Sequence, residues 1–89
     1  MLTVYSKNNC SFCVQTKELL TRRGVEFTEI KIDEDASAKE FIIKEGHRSV
    51  PQIYNGDKLF VSGGFMGLLN LNPAEMQALL DNTKEEYAH

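Results

Sequence analysis

The chain has 89 residues, enough for one hydrophobic core and too few for two. Its composition, 42% hydrophobic and 26% charged, is ordinary for a soluble globular protein. A net charge of −3 runs against nucleic-acid binding, which calls for a basic excess, and no stretch approaches the roughly 20 apolar residues of a membrane span.

Leu2 to Ser6 reads as a short strand. A strand pattern from the second residue is not the basic start and longer apolar run of a secretory signal, so the expectation is a cytoplasmic protein. Asn8-Asn9 is a loop, and a helix begins at Cys10 or Ser11, with Phe12, Thr16, Leu19 and Leu20 at helical spacing. Arg22 and Arg23 suit its last turn, where cations oppose the dipole, and Gly24 is its stop. Val25 to Ile32 alternates with period two: Val25, Phe27, Glu29 and Lys31 share one face, Thr28, Ile30 and Ile32 the other.

Asp33 to Ser37 holds capping residues, and Ser37 with Glu40 can form a capping box; a second helix then carries Ala38, Phe41, Ile42 and Glu45 and is closed by Gly46. Asn55-Gly56, between Pro51–Tyr54 and Asp57–Val61, is a strong hairpin signal. Asn72-Pro73-Ala74-Glu75 opens a last helix whose buried stripe is Met76, Leu79, Leu80 and Thr83. The order is β-α-β-α-β-β-α, without repeats or linkers. A crossover helix makes the first two strands parallel, and a hairpin makes the last two antiparallel. One mixed four-stranded sheet with helices on both faces, an α/β fold, satisfies both conditions within a single domain, residues 1–89.

Cys10 and Cys13 are the only cysteines. They stand where the first strand gives way to the first helix. Metal binding, a locked disulfide and redox chemistry all use such pairs. A closed zinc site needs four ligands, and the only further cysteine or histidine residues are His47 and the terminal His89. A reducing compartment disfavours a permanent disulfide, whereas Cys-x-x-Cys beside a βαβ pattern reads as a thioredoxin-like redox motif. The reactive species is the thiolate, and a free cysteine is only about 3% ionised at pH 7. A helix N-terminus is worth up to ~2 kcal/mol to an anion, which lowers a pKa by roughly 1.5 units. Direct N–H···S bonds and Lys7 would be needed for more. The main gain from a low pKa is that Cys10 leaves readily from a mixed disulfide. Cys13, one turn into the helix, is expected to resolve it.

Taken together, Cys10-Ser11-Phe12-Cys13, Ser49-Val50-Pro51 and Gly63-Gly64 resemble the glutaredoxin motifs Cys-Pro-Tyr-Cys, Thr-Val-Pro and Gly-Gly, in order and at matching spacing over residues 2–83. The resemblance implies a thioredoxin-like fold and a dithiol glutaredoxin. Its partners would be glutathione, as reductant and co-substrate, and disulfide-bearing or glutathionylated proteins, with ribonucleotide reductase as a candidate among them. It further implies a cis Pro51 against the pair and a Val50 backbone that binds glutathione like an added strand. Lys7, Phe12, Arg48, Gly63, Gly64 and Phe65 would complete that site, with Gln15 as a further contributor. No metal is required, and a monomer is expected. Two departures open alternatives. Ser11 replaces the usual proline, as in relatives that hold a [2Fe-2S] cluster between two subunits. Met66 stands where many relatives place Asp or Thr for the γ-glutamyl end. That points also to the glutaredoxin-like hydrogen donors of ribonucleotide reductase, which draw on thioredoxin reductase and bind glutathione poorly.

Overall fold

The computed structural model describes residues 2–88, and side chains as far as residue 80. In chain order the elements are β1 (Leu2–Ser6), α1 (Ser11–Arg22), β2 (Phe27–Lys31), α2 (Ala36–Lys44), β3 (Gln52–Asn55), β4 (Lys58–Leu59), α3 (Gly64–Asn70) and α4 (Pro73–Ala88). The strands form one sheet in the order β2-β1-β3-β4. β1 and β2 are parallel, as a crossover through α1 demands, and β3 is antiparallel to both β1 and β4. This is the mixed thioredoxin-like sheet expected from the sequence.

Register divides the side chains between two faces. Val4 lies opposite Glu29 and Ile53, and Tyr5 lies opposite Ile30 and Gln52. Leu2, Val4 and Ile53 therefore point to one side. There they meet Leu19 and Leu20 of α1, Val61, Leu68 of α3 and Met76 of α4 in the main core. Each fully buried Leu, Ile or Met contributes on the order of 1.5–3 kcal/mol. On the other side Tyr5 and Tyr54 pack against Phe41 of α2, with ring centroids 5.1 to 5.6 Å apart. His47 closes this cluster with a 2.7 Å hydrogen bond to the Tyr54 hydroxyl. Burial pushes both tyrosine hydroxyls above the usual phenol range, aided by Asp35 at Tyr5 and by Glu45 at Tyr54.

Several boundaries differ from expectation. Asp35, not Ser37, caps α2: its carboxylate accepts the Ala38 N–H at 3.0 Å, which leaves Ser37 inside the first turn. β2 is shorter than Val25–Ile32 because Val25 N–H turns back to the Leu20 carbonyl at the end of α1. Arg23 is the C-cap of α1 and not part of its last turn; its guanidinium donates to the Leu71 carbonyl at 2.6 Å. β4 stops at Leu59, while Val61 drops into the core. α3 adds a helix to the expected order. Gly63, at φ 87°, caps it without a side-chain bond, so no Ser, Thr, Asp or Asn announces it.

The last helix opens as expected. Glu75 N–H donates to Asn72 Oδ1 at 2.8 Å, and Asn72 N–H returns to Glu75 Oε1 at 3.4 Å. Met76 is buried and Leu80 half-buried, but Leu79 flanks the core at 39% exposure; Thr83 lies outside the residues whose side chains are described. No helix among the described residues is long and apolar enough to cross a membrane.

Candidate active site

β1 delivers the chain to the loop Lys7–Asn9, which turns it into α1. Asn9 adopts φ 57°, a left-handed value that asparagine tolerates better than most residues. Asn8 fixes the loop against the segment after β2. Its backbone N–H and its amide both donate to Asp33 Oδ2 at 3.0 Å, and the amide also reaches Glu34 Oε2 at 2.7 Å. Lys31 Nζ donates to Asn8 Oδ1 at 3.0 Å. The Asn8 backbone bond is the main cause holding the Asp33 carboxyl below the usual carboxylate range.

Cys10 is the N-cap of α1. Its Sγ accepts the Cys13 N–H at 3.2 Å, taking the place of the oxygen that Ser or Asp would supply. A free N–H at a helix start thus points at this sulfur, as the sequence required for an activated thiolate. Cys10 and Cys13 form a disulfide, with Cα atoms 5.2 Å apart. The two sulfurs differ in access: Cys10 is half-buried and Cys13 only 1% exposed. Thr16, fully buried below the pair, donates its hydroxyl to the Phe12 carbonyl at 2.8 Å.

Cys10 Sγ lies 3.9 Å from the Val50 carbonyl oxygen, and the Val50–Pro51 peptide bond is cis. From there a groove of about 350 Å³ runs along Phe12, Ser49, Val50, Pro51, Gln52, Gly63, Gly64, Phe65 and Met66. None of these residues carries a charge. Phe12 and Phe65 stack across it with centroids 5.9 Å apart. Gly64 is required where it stands: it has φ 57°, and a Cβ there would lie 2.6 Å from the Pro51 carbonyl oxygen. Gly67, one turn further, has its own reason, since a Cβ would collide with the Ser62 carbonyl oxygen.

The structure therefore brings together Cys10, Cys13, Phe12, Val50, Pro51, Gly63, Gly64 and Phe65. It does not bring Lys7 or Arg48 to the groove. Lys7 lines a separate recess with both cysteines, and Arg48 is exposed on the loop before Pro51, lining neither cavity. Gln15 is exposed on α1. The sequence reading missed the Asn8 anchor and the polar cluster in the recess, where Ser6 Oγ donates to Glu29 Oε2 at 2.7 Å and Lys17 Nζ stands 2.8 Å from the same oxygen. One signal was available: the alternation of β2 set the charged Glu29 on the face of Phe27 and the core. No group of three or more His, Cys, Asp or Glu residues among those described could hold a metal ion.

The family model described as Glutaredoxin matches residues 2–60, more than half of the chain. The chain belongs to the glutaredoxin family. It is a thiol–disulfide oxidoreductase of that family, with its disulfide at Cys10–Cys13. Similar proteins include glutaredoxin-like NrdH proteins and glutaredoxins. The chain is 43% identical over 65 residues to the glutaredoxin-like protein NrdH of Lactococcus lactis subsp. cremoris, covering 73% of this chain and 88% of that protein. It is 42% identical over 52 residues to glutaredoxin 3 of Escherichia coli, covering 57% of this chain and 63% of that one. Among solved structures, wheat glutaredoxin aligns at a TM-score of 0.73 with 32% identity, covering 91% of this chain and 79% of its own. The Escherichia coli NrdH-redoxin aligns at 0.67 with 29% identity, covering 88% and 92%.

Proposed function

We propose that this glutaredoxin-family protein, acting as one domain in the cytoplasm, is a dithiol hydrogen donor for protein disulfides, reset by a thioredoxin reductase in preference to glutathione. The observation that carries this reading is the groove beside Cys10, which no charged side chain lines. Glutathione bears two carboxylates and an ammonium group. Met66, 55% exposed in the groove, offers that ammonium no charge and only a weakly accepting thioether sulfur. Phe12, Phe65 and Met66 suit the apolar flank of a protein disulfide. The extensive match to NrdH, and the thioredoxin-like activity profile attributed to the Escherichia coli NrdH-redoxin, support the same choice.

The chemistry is two exchanges. The Cys10 thiolate attacks a substrate sulfur, forms a mixed disulfide and expels the first substrate thiolate. Cys13 then attacks Cys10 Sγ, forms the Cys10–Cys13 bond and releases the second substrate thiolate, which takes a proton from water. Two electrons pass to the substrate, and a reductase returns two to the pair. The access of Cys10 and the burial of Cys13 support this division.

A second reading, a glutathione-dependent dithiol glutaredoxin, is favoured by Gly63-Gly64 and Val50 at the groove and by the match to glutaredoxin 3. In it the backbone at Val50 and Gly64 would hold the tripeptide, and glutathionylated proteins would join the substrates. Ribonucleotide reductase is the protein substrate proposed under either reading. NADPH consumption separates them. Turnover with thioredoxin reductase alone, exceeding that with glutathione and glutathione reductase at least tenfold, is the expected result. The reverse ratio would replace the first reading with the second.

A further inference from the structure

The recess that both cysteines line has a volume of about 570 Å³ and shares no lining residue with the groove. Its titratable groups are Cys10, Cys13, Lys7, Lys17, Glu29 and Lys31. Lys31 is held by Asn8 and lies 4.0 Å from Glu34, while Lys7 is exposed on the loop. Lys17 follows Cys13 by one helical turn, which places the two side chains on one face with Cβ atoms roughly 5–6 Å apart. Its ammonium stands 2.8 Å from Glu29 Oε2, the oxygen that also accepts the bond from the buried Ser6 hydroxyl. Both partners are shielded, at 30% and 25% side-chain exposure. The Lys17 contact is the largest cause holding the Glu29 carboxyl below the usual carboxylate range.

Cys13 is 1% exposed, yet the second exchange requires it to become a thiolate. A buried thiolate without a cation is costly. We infer that Lys17 is the cation that favours the Cys13 thiolate during the second exchange, and that Glu29, fixed by Ser6, positions Lys17 and moderates its charge. This rests on the proposed role of Cys13 as the resolving thiol. In that step the Cys13 S–H gives its proton to water in the recess. The Cys13–Cys10 sulfur bond then forms, the bond from Cys10 to the substrate sulfur breaks, and the electron pair leaves with the substrate. Moderation has its own use. A bare Lys17 would ionise Cys13 before it was needed, beside a Cys10 thiolate, and two anions at that range oppose each other.

A nearby opposite charge moves a titration midpoint by about 1–3 units, and the partial solvent exposure of Lys17 in the shared recess sets the expected shift at about one. One unit is a tenfold change in thiolate fraction. With a Brønsted slope of ~0.4–0.5, higher basicity returns about threefold of that in nucleophilicity, so Lys17→Gln should slow the second exchange about three- to fourfold.

The test follows the ultraviolet absorbance of the Cys13 thiolate against pH in protein carrying Cys10→Ser, which needs no turnover. Lys17→Gln is expected to raise the midpoint by about one unit, Glu29→Gln to lower it by a similar amount, and Lys17→Arg to restore it. A passive ion-pair staple would give no shift, or shifts of one sign in both neutralising variants, and either result overturns the inference. If one variant fails to fold, the sign in the other decides. The titration is read independently of the resolving role, which fails separately if Cys13→Ser retains full protein-disulfide reduction.

Discussion

Two cavities open beside the same disulfide, and they differ in kind. The groove from Val50 to Met66 is uncharged, with stacked aromatic rings and glycines that let backbone segments meet. The recess from Lys7 to Lys31 is lined by three lysines and a glutamate. An uncharged, partly aromatic surface rewards contact with a polypeptide and gives little purchase to a small charged peptide. A charged recess does little for apolar contact but controls the proton on a sulfur. The contrast separates recognition from ionisation on two sides of a single pair, and substitutions on each side should leave the other side's readout in place.

The largest effect is expected where the two sides meet. Cys10→Ser should reduce disulfide reduction to the uncatalysed background, whereas Cys13→Ser should stop the reaction at a mixed disulfide that mass spectrometry detects as a substrate adduct. Turnover surviving Cys10→Ser would remove the assignment of the attacking sulfur. Next, Gly64→Ala should damage the groove through its backbone. The left-handed φ and the close Pro51 carbonyl together cost roughly 1–3 kcal/mol, a fall in melting temperature on the order of 10 °C. An unchanged melting curve would mean that the approach is slack.

Phe12→Ala is a smaller change on the recognition side. Phe12 is 52% exposed at the groove lip, so KM for a protein disulfide should rise about five- to tenfold with kcat nearly constant. A fall in kcat at constant KM would place Phe12 on the ionisation side. The smallest expected effect is that of the Lys17–Glu29 pair on stability. The Glu29 carboxyl is lowered in the folded protein, so its contribution is present above the unfolded value near pH 4.5 and is lost as pH falls through the folded one. The contribution should be about 1 kcal/mol or less, and Glu29→Gln should flatten the melting temperature in that acidic window only. Equal destabilisation at pH 7 and at pH 3 would show that packing and not charge is involved.

Much of this arrangement is legible in the chain because the signals are local. Cys10-x-x-Cys13 announces a helix start with sulfur at its cap. Asn55-Gly56 marks a hairpin, and Asn72-Pro73-Ala74-Glu75 marks a capped helix. Each encodes its geometry within four residues. What escaped is non-local or lacks a side chain to announce it. Asn8 meets Asp33 across 25 positions, and no propensity at either site implies the pairing. α3 begins on a glycine in a left-handed conformation, so the usual capping residues are missing. Ser37 carried a valid capping pattern that Asp35, two residues earlier, displaced by reaching Ala38 first. Glu29 was visible as a charge on an otherwise core-facing row, but its partners Ser6 and Lys17 are joined to it only by the fold.

The most direct test of the central claim, that the accessible helix-capping sulfur is the one activated, is the pH dependence of alkylation at each cysteine in the reduced protein, resolved by peptide mass spectrometry. Cys10 is expected to react with a midpoint at least one unit below the free-cysteine value of about 8.5, while Cys13 reacts later and more slowly. Superimposable curves for the two cysteines, both at the free-cysteine value, would contradict it.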